Sequence, residues 1–381
     1  MKLEKEKKHI YLSSPHMSEE GFEQEYVQEA FDTNWIAPLG KNVNEFEKEM
    51  EKKVGAKAAV ALTAGTAAIH LALKSVGVQA GDIVFCPTLT FSATANPILY
   101  EKAVPVFIDS DAETWNISPK ALESAFEKYP SVKAVIAVHL YGLAAELDEI
   151  CRICDEHQVP LIEDAAESLG TVYKGRYTGT FGSVGIFSFN GDKIITSSGG
   201  GMLLFNGEDA ENKAEKARFW ATQSRDKARH YQHSEIGYNY RMSNIVAGIG
   251  RGQLKVLNQR IEKKRYIYEY YKKELKDLDG LSMMPMHEWE YSNCWLSCIQ
   301  ISKNCKVKSL DIILALEKDD VESRPIWKPM HLQPVFSNCD YIDNGNVAEI
   351  IYNRGVCLPS DTKMDDKDLS RVCDIIKGLW K

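Results

Sequence analysis

No stretch of this sequence approaches the ~18 consecutive apolar residues that a membrane-spanning helix needs, so no membrane association is expected. The opening Met1–His9 is charged and has no apolar run behind it to serve as a secretory leader. Both features lead to the expectation of a cytoplasmic protein. Positive charge is short as well: 46 Lys and Arg stand against 54 Asp and Glu, a formal net charge of −8. A nucleic-acid binder needs the opposite balance to displace counterions, so no nucleic-acid partner is expected. Of nine cysteines only Cys151 and Cys154 form a CxxC pair. A lone CxxC lacks the second pair of a zinc site, and its surroundings read as half-buried thiols on a surface helix. The histidines show no ligand spacing, so no metal is expected. Missing too are the GxGxxG of dinucleotide sites, the GxxxxGK[ST] phosphate loop and the GxSxG hydrolase elbow.

What is present is an ordinary globular composition, 44% hydrophobic and 26% charged over 381 residues. That length accommodates one large core or two unequal domains. From about residue 55 to 205 short apolar runs alternate with amphipathic stretches. Strands are predicted at 58–62, 83–85, 104–108, 134–138 and 159–162, and helices at 66–76, 93–101, 118–128 and 144–157. Such alternation implies an α/β fold, with a mostly parallel sheet and helices on both faces. Ser118 followed by Pro119 marks one helix start. Runs at 184–189 and 202–205 flank Gly199–Gly201 and read as a strand pair. A polar helical region is expected at 211–232, and one long helix-like stretch at 243–275 leads to a smaller C-terminal unit. The division is placed between residues 254 and 255. The acidic run Glu45–Lys53 reads as a solvated helix face.

Three places carry candidate chemistry. Lys193 stands just beyond a buried-looking strand and just before three glycines. A lysine becomes a Schiff-base former when its surroundings lower its pKa, although a loop lysine and a simple glycine turn would look alike. Asp164 ends an apolar strand, where ligands of open α/β sheets gather. It could hold a proton on a pyridine nitrogen, or the Asp-Ala-Ala-Glu run could be a helix start. Gly65, Thr66 and Ala67 lie where a strand runs directly into a helix, a ready anion site. A plain cap by Thr63 or Thr66 is the competing reading.

The order of these three, with their local sequences, resembles the DegT/DnrJ/StrS sugar aminotransferases, which are fold-type I pyridoxal-phosphate enzymes. Further likeness lies in Ser14–Met17, Asn34–Gly40, Val138–Gly142, Gly237–Met242 and Arg324–His331, so it spans nearly the whole chain. The resemblance implies a large cofactor domain (1–254), whose N-terminal segment reaches the site rim, and a small α+β domain (255–381). It implies that Lys193 binds the cofactor aldehyde and then moves a proton between its C4′ and the sugar carbon. Asp164 would pair with the ring nitrogen. Ser188, Thr66 and the Gly65–Ala67 backbone would hold the phosphate, and Phe91 would stack on the ring. Asn239 and Arg241 would reach the phosphate from the partner subunit of a homodimer with shared sites, Arg241 being the better match. Glu167 stands where many relatives have His or Gln, near the cofactor's phenolic oxygen. A carboxylate facing an oxyanion is costly unless one of the two is protonated. Trp35, Ile36, Arg324, Trp327 and His331 would line the substrate side. The subgroup it most resembles aminates UDP-linked 2-acetamido-4-keto-6-deoxy sugars with L-glutamate, in bacillosamine-type glycan pathways; similar exopolysaccharide enzymes share the same segments. The alternatives are a pyridoxal-phosphate sugar dehydratase of the same fold and a non-catalytic cofactor-binding regulator. Dehydratases of the family replace the lysine with histidine or add a cysteine-held cluster, and Lys193 without clustered cysteines disfavours them.

Overall fold

The computed structural model of the chain describes residues 8–381, and the charged stretch Met1–Lys7 lies outside them. Eight strands form the main sheet in the order Ala58–Leu62, Gly201–Phe205, Val184–Ser188, Leu161–Asp164, Ala134–Val138, Ile83–Pro87, Val104–Ile108, Asp340–Ile342. Gly201–Phe205 runs antiparallel to both neighbours; the other pairings are parallel. The predicted α/β architecture is therefore present. Because helices cover both faces, strands can be apolar throughout: the central Ala134–Val138 and Val184–Ser188 are buried at every position, and so is the edge strand Ala58–Leu62. Alternate side chains face opposite layers. Val60 and Leu62 pack with the helices Gly65–Ser75, Ser92–Tyr100 and Ala210–Ala221, whereas Ala59 and Ala61 pack with Lys41–Val54 and Asn244–Lys255.

A second sheet is wholly antiparallel, in the order Leu281–Met283, Ser297–Ile301, Gly355–Leu358, Arg324–Pro325. The helices Leu257–Leu275, Ser309–Lys318 and Asp366–Gly378 close over it around Ile267, Ile299, Leu316, Val356 and Leu369. We propose the domain division at 254/255. Two segments cross it. Asp340–Ile342 returns to the edge of the large sheet, where buried Asp109 accepts the N–H groups of Asn344, Val347 and Ala348 and so caps the helix Val347–Arg354. In the other direction Ile10 bridges Val321 and joins the smaller core.

The structure departs from the sequence reading in four places. The strand expected at 159–162 begins at Leu161 and runs to Asp164, because Pro160 has no N–H for a ladder. The polar helical region ends at Ala221, where Gln223 and Ser224 adopt positive φ. The long stretch at 243–275 is two helices that break at Val256. The run Glu45–Lys53 is helical, but its Phe46 and Met50 are core residues and Glu47 is buried, accepting the Ala61 N–H at 2.8 Å.

Candidate active site

The helix Gly65–Ser75 starts three residues after a buried strand ends, and its N-cap is Ala64, which offers no capping oxygen. Neither Thr63 nor Thr66 takes that place. The first-turn N–H groups are thus left for a ligand. Thr63, Gly65, Thr66 and Ser188 line a cavity of about 390 Å³ at that helix end, with Ala67 buried behind them. Backbones approach closely here. A Cβ on Gly65 would lie 3.1 Å from Ser188 Cβ, and one on Gly201 only 2.4 Å from the Ala64 carbonyl carbon. Glycine at 201 is a packing requirement, and it explains part of the glycine run that follows Lys193.

Asp164 and Lys193 line this same cavity. Asp164 ends its strand 5% exposed, and burial raises its carboxyl above the usual range. Opposing that shift, Thr94 Oγ1 donates to it at 2.7 Å and the Ala166 N–H at 3.2 Å. Thr94 also shares a 2.7 Å hydrogen bond with Thr90. Lys193 Nζ sits 4.0 Å from the centre of the Trp295 ring and 4.0 Å from Glu167 Oε1. The other Glu167 oxygen accepts the Tyr141 N–H at 2.6 Å. Burial pushes Glu167 up to about 7, against the pull of the Lys193 ammonium and the Tyr141 N–H. Tyr141 is itself in the left-handed region, φ 55°, a conformation uncommon outside glycine. Phe91 is more than half exposed, on the cavity wall, 5.3 Å from Trp327 between ring centres.

The remaining expected residues lie elsewhere on this chain. Trp35 is on a separate cleft with Asn42 and Asn244, and Ile36 is exposed beside it. Asn239 is exposed, and Arg241 bridges Leu62 with its Nε buried and unpartnered. Arg324 is exposed on the small sheet. His331 is outside the cavity, held between Thr88 at 2.6 Å and Glu349 at 3.2 Å and stacked on Tyr341. Of the substrate-side set, Trp327 alone lines the cavity. Trp295, Thr94, Tyr141 and Asp192 were not singled out from sequence. The Thr90/Thr94 spacing on a helix start was their one local signal.

An open helix N-terminus for a phosphate, a buried acid for a ring nitrogen and a lysine amine on the same cavity fit pyridoxal phosphate. A site of this kind on a mostly parallel sheet defines a pyridoxal-phosphate-dependent aminotransferase. Residues 17–377 match the DegT/DnrJ/EryC1/StrS aminotransferase family, and the chain belongs to it. A Bacillus subtilis (strain 168) protein named as a pyridoxal phosphate-dependent aminotransferase, EpsN, is 54% identical over 98% of this chain and 96% of its own length. The GDP-perosamine synthase of Caulobacter vibrioides is 34% identical over 95% of this chain and 96% of its own. Among solved structures, the aminotransferase TlmJ from Streptoalloteichus hindustanus superposes with a TM-score of 0.88 at 27% identity, covering 97% of this chain and 98% of that one.

Proposed function

We propose that this enzyme transfers the amino group of L-glutamate to the C4 keto carbon of a UDP-linked 2-acetamido-4-keto-6-deoxy sugar, in bacterial glycan or exopolysaccharide synthesis. The observation that carries the transfer chemistry is the convergence of Lys193, Asp164 and the open helix N-terminus on one cavity. Pyridoxal phosphate, when bound, supplies an electron sink for the carbanion beside the transferred nitrogen. The chain's own groups do the rest. The Gly65–Ala67 backbone and Ser188 hold the phosphate, and Asp164 keeps a proton on the ring nitrogen. Lys193 carries the proton to and from the reacting carbon, a role that typically contributes ~10²–10⁴-fold. Glu167, protonated, donates to the phenolic oxygen. Trp295 and Trp327 exclude water.

The sugar and its nucleotide would enter past Phe91 and Trp327. Trp35, Ile36, Asn239 and Arg241 belong in this reading to the site of a second copy. Support comes from Phe31, Trp35, Ile36 and Leu39, four large apolar side chains each about half exposed within nine residues of chain, and from the unpartnered Arg241 Nε. The homodimer is tested by mixing Lys193→Ala with Arg241→Ala protomers: shared sites regain activity in the mixture, and separate sites do not. We place the enzyme in the cytoplasm, where nucleotide sugars are made; among the described residues no helix is long and apolar enough to cross a membrane.

A GDP-linked keto sugar is the second reading, favoured by three relatives named GDP-perosamine synthase, each 34% identical over at least 95% of this chain. The deciding experiment incubates the enzyme with glutamate and a panel of UDP-, GDP- and dTDP-linked 4-keto sugars. Mass spectrometry then reads 2-oxoglutarate and the amino sugar. Turnover of the UDP N-acetyl sugar supports the first reading, turnover of the GDP sugar alone replaces it, and no turnover of any refutes both.

A further inference from the structure

Lys193 stands in a turn without regular structure, and its backbone is gripped from outside the large sheet. The carbonyl of Asp192 accepts two hydrogen bonds, from Ser13 Oγ at 3.0 Å and from Trp295 Nε1 at 2.7 Å. That uses both lone pairs of the oxygen. Ser13 Oγ in turn accepts from Lys264 Nζ at 3.0 Å, and Lys264 is 2% exposed on the helix Leu257–Leu275. Ser13 is fixed on either side. The Leu12 carbonyl receives the Ser360 N–H at 2.7 Å, the Leu12 N–H reaches Glu322 at 2.9 Å, and the Ser14 N–H reaches Asp361 at 2.8 Å. Trp295 holds the chain at two points, with its indole nitrogen on the carbonyl before Lys193 and its ring face against the lysine amine.

A buried lysine is a costly way to stabilise a fold, and this one donates to the hydroxyl that grips the Asp192 carbonyl. The peptide it helps to hold is the one that aims a long, flexible side chain. Misplacement of a reacting group by about 1 Å can cost ~10²-fold in rate. We propose that Ser13, backed by Lys264, and Trp295 are positioning residues: they clamp the Asp192–Lys193 peptide so that the Lys193 amine meets the cofactor aldehyde in reacting geometry. The proposal rests on the pyridoxal-phosphate reading of the cavity.

Two probes separate binding from reaction. Pyridoxine 5′-phosphate has no aldehyde and reads only the phosphate and ring contacts. Pyridoxal phosphate reacts as well: the amine attacks the aldehyde carbon, C=N replaces C=O, and the oxygen leaves as water with the two amine hydrogens. Borohydride then fixes the product on Lys193 for mass measurement. In cofactor-free Ser13→Ala, pyridoxine 5′-phosphate affinity stays at the wild-type value while fixation on Lys193 slows on the order of tenfold or more; in Trp295→Phe, whose ring lines the cavity, fixation slows by more than affinity falls. Ser13→Thr, which keeps the hydroxyl, restores the rate. Phe at 295 keeps an aromatic face near the amine and loses the donor together with the indole's second ring. Wild-type fixation rates in both variants would overturn the clamp, and so would a parallel fall in pyridoxine phosphate affinity, which marks general damage. Should Trp295→Phe not fold, the Ser13 pair decides alone. If wild-type protein takes up neither probe, the cofactor reading itself fails.

Discussion

Replacing Glu167 with Gln isolates what it costs to bury one carboxyl beside Lys193. Burial raises this group from 4.5 to about 7, even with the Lys193 ammonium and the Tyr141 N–H opposing. Between those two values the folded cofactor-free chain holds a proton that the unfolded chain has released. The folded state therefore binds more protons across the window. Its stability from this group is complete below about pH 4.5 and is lost as pH rises through about 7. At ~1.4 kcal/mol per unit the loss amounts to about 3 kcal/mol. Gln keeps the shape and the oxygen that accepts the Tyr141 N–H, but it does not titrate. Urea unfolding of the two cofactor-free proteins at pH 5 and pH 8 reads the effect. The stability of Glu167→Gln relative to wild type should rise by about 2–3 kcal/mol between the two pH values. If the two proteins lose or gain stability in parallel, Glu167 is charged throughout, and the protonated donor assigned to it at the phenolic oxygen is wrong.

Lys193→Ala should abolish turnover and borohydride fixation while circular dichroism shows the fold intact; near-normal activity would exclude Lys193 as the cofactor lysine. Gly201→Ala places a methyl 2.4 Å from the Ala64 carbonyl carbon and 2.6 Å from Gly65 N. It should cost about 1–3 kcal/mol by overpacking and weaken pyridoxine 5′-phosphate binding, as equilibrium dialysis would measure. Lys264→Met removes a cation whose pKa burial lowers from 10.5 to about 8. The unfolded chain binds more protons between those values, so wild-type stability rises across pH 8 to 10.5. At pH 7 the charge costs ~3 kcal/mol; after loss of one hydrogen bond, worth ~1 kcal/mol, the variant should be about 2 kcal/mol more stable in urea. That gain should vanish near pH 10.5, and a destabilised variant at pH 7 would contradict it.

Lys193, Asp164 and Gly65 were legible because each follows a short apolar run that reads as a strand with no knowledge of the rest of the chain. Sheet order then brings the strand ends together, an order that the alternation of strands and helices does not itself give. Trp295 had no such marker. It stands two residues after Asn293, whose side chain ties the segment to Glu167 and Leu169 through their carbonyls at 2.9 and 3.0 Å, and nothing local announces that long-range contact. Tyr141 is a similar case, since its role depends on a left-handed backbone that the Val138–Gly142 sequence does not display. The helix Phe22–Asp32 escaped notice, and Lys41–Val54 was read only as a solvated helix face, because charge dominates their composition. Their packing rests on a few side chains such as Ala30, Phe46 and Met50. The break at Val256 was invisible for the opposite reason: residues on both sides suit a helix, and only tertiary packing sets the bend.

The legible groups and the hidden ones divide by where they come from. In the proposed reading, phosphate, ring nitrogen and amine are addressed from strand ends and turns of the large sheet. The walls that make those groups effective come from the smaller unit: Trp295 under the amine, Trp327 against Phe91, and the Tyr141 hydroxyl fixed by the Trp327 N–H at 3.1 Å. Glu167 shows why the division matters. Its carboxyl is raised chiefly by burial, and the Asn293 side chain holds its backbone carbonyl at 2.9 Å from the side of the smaller unit. Opening the two units to solvent would restore water to Glu167 and return it toward its ordinary ionisation, even with each residue of the large sheet unmoved. The ionisation of Glu167 thus depends in part on the loop that precedes the strand Ser297–Ile301, which is where a sequence read strand by strand has least to say.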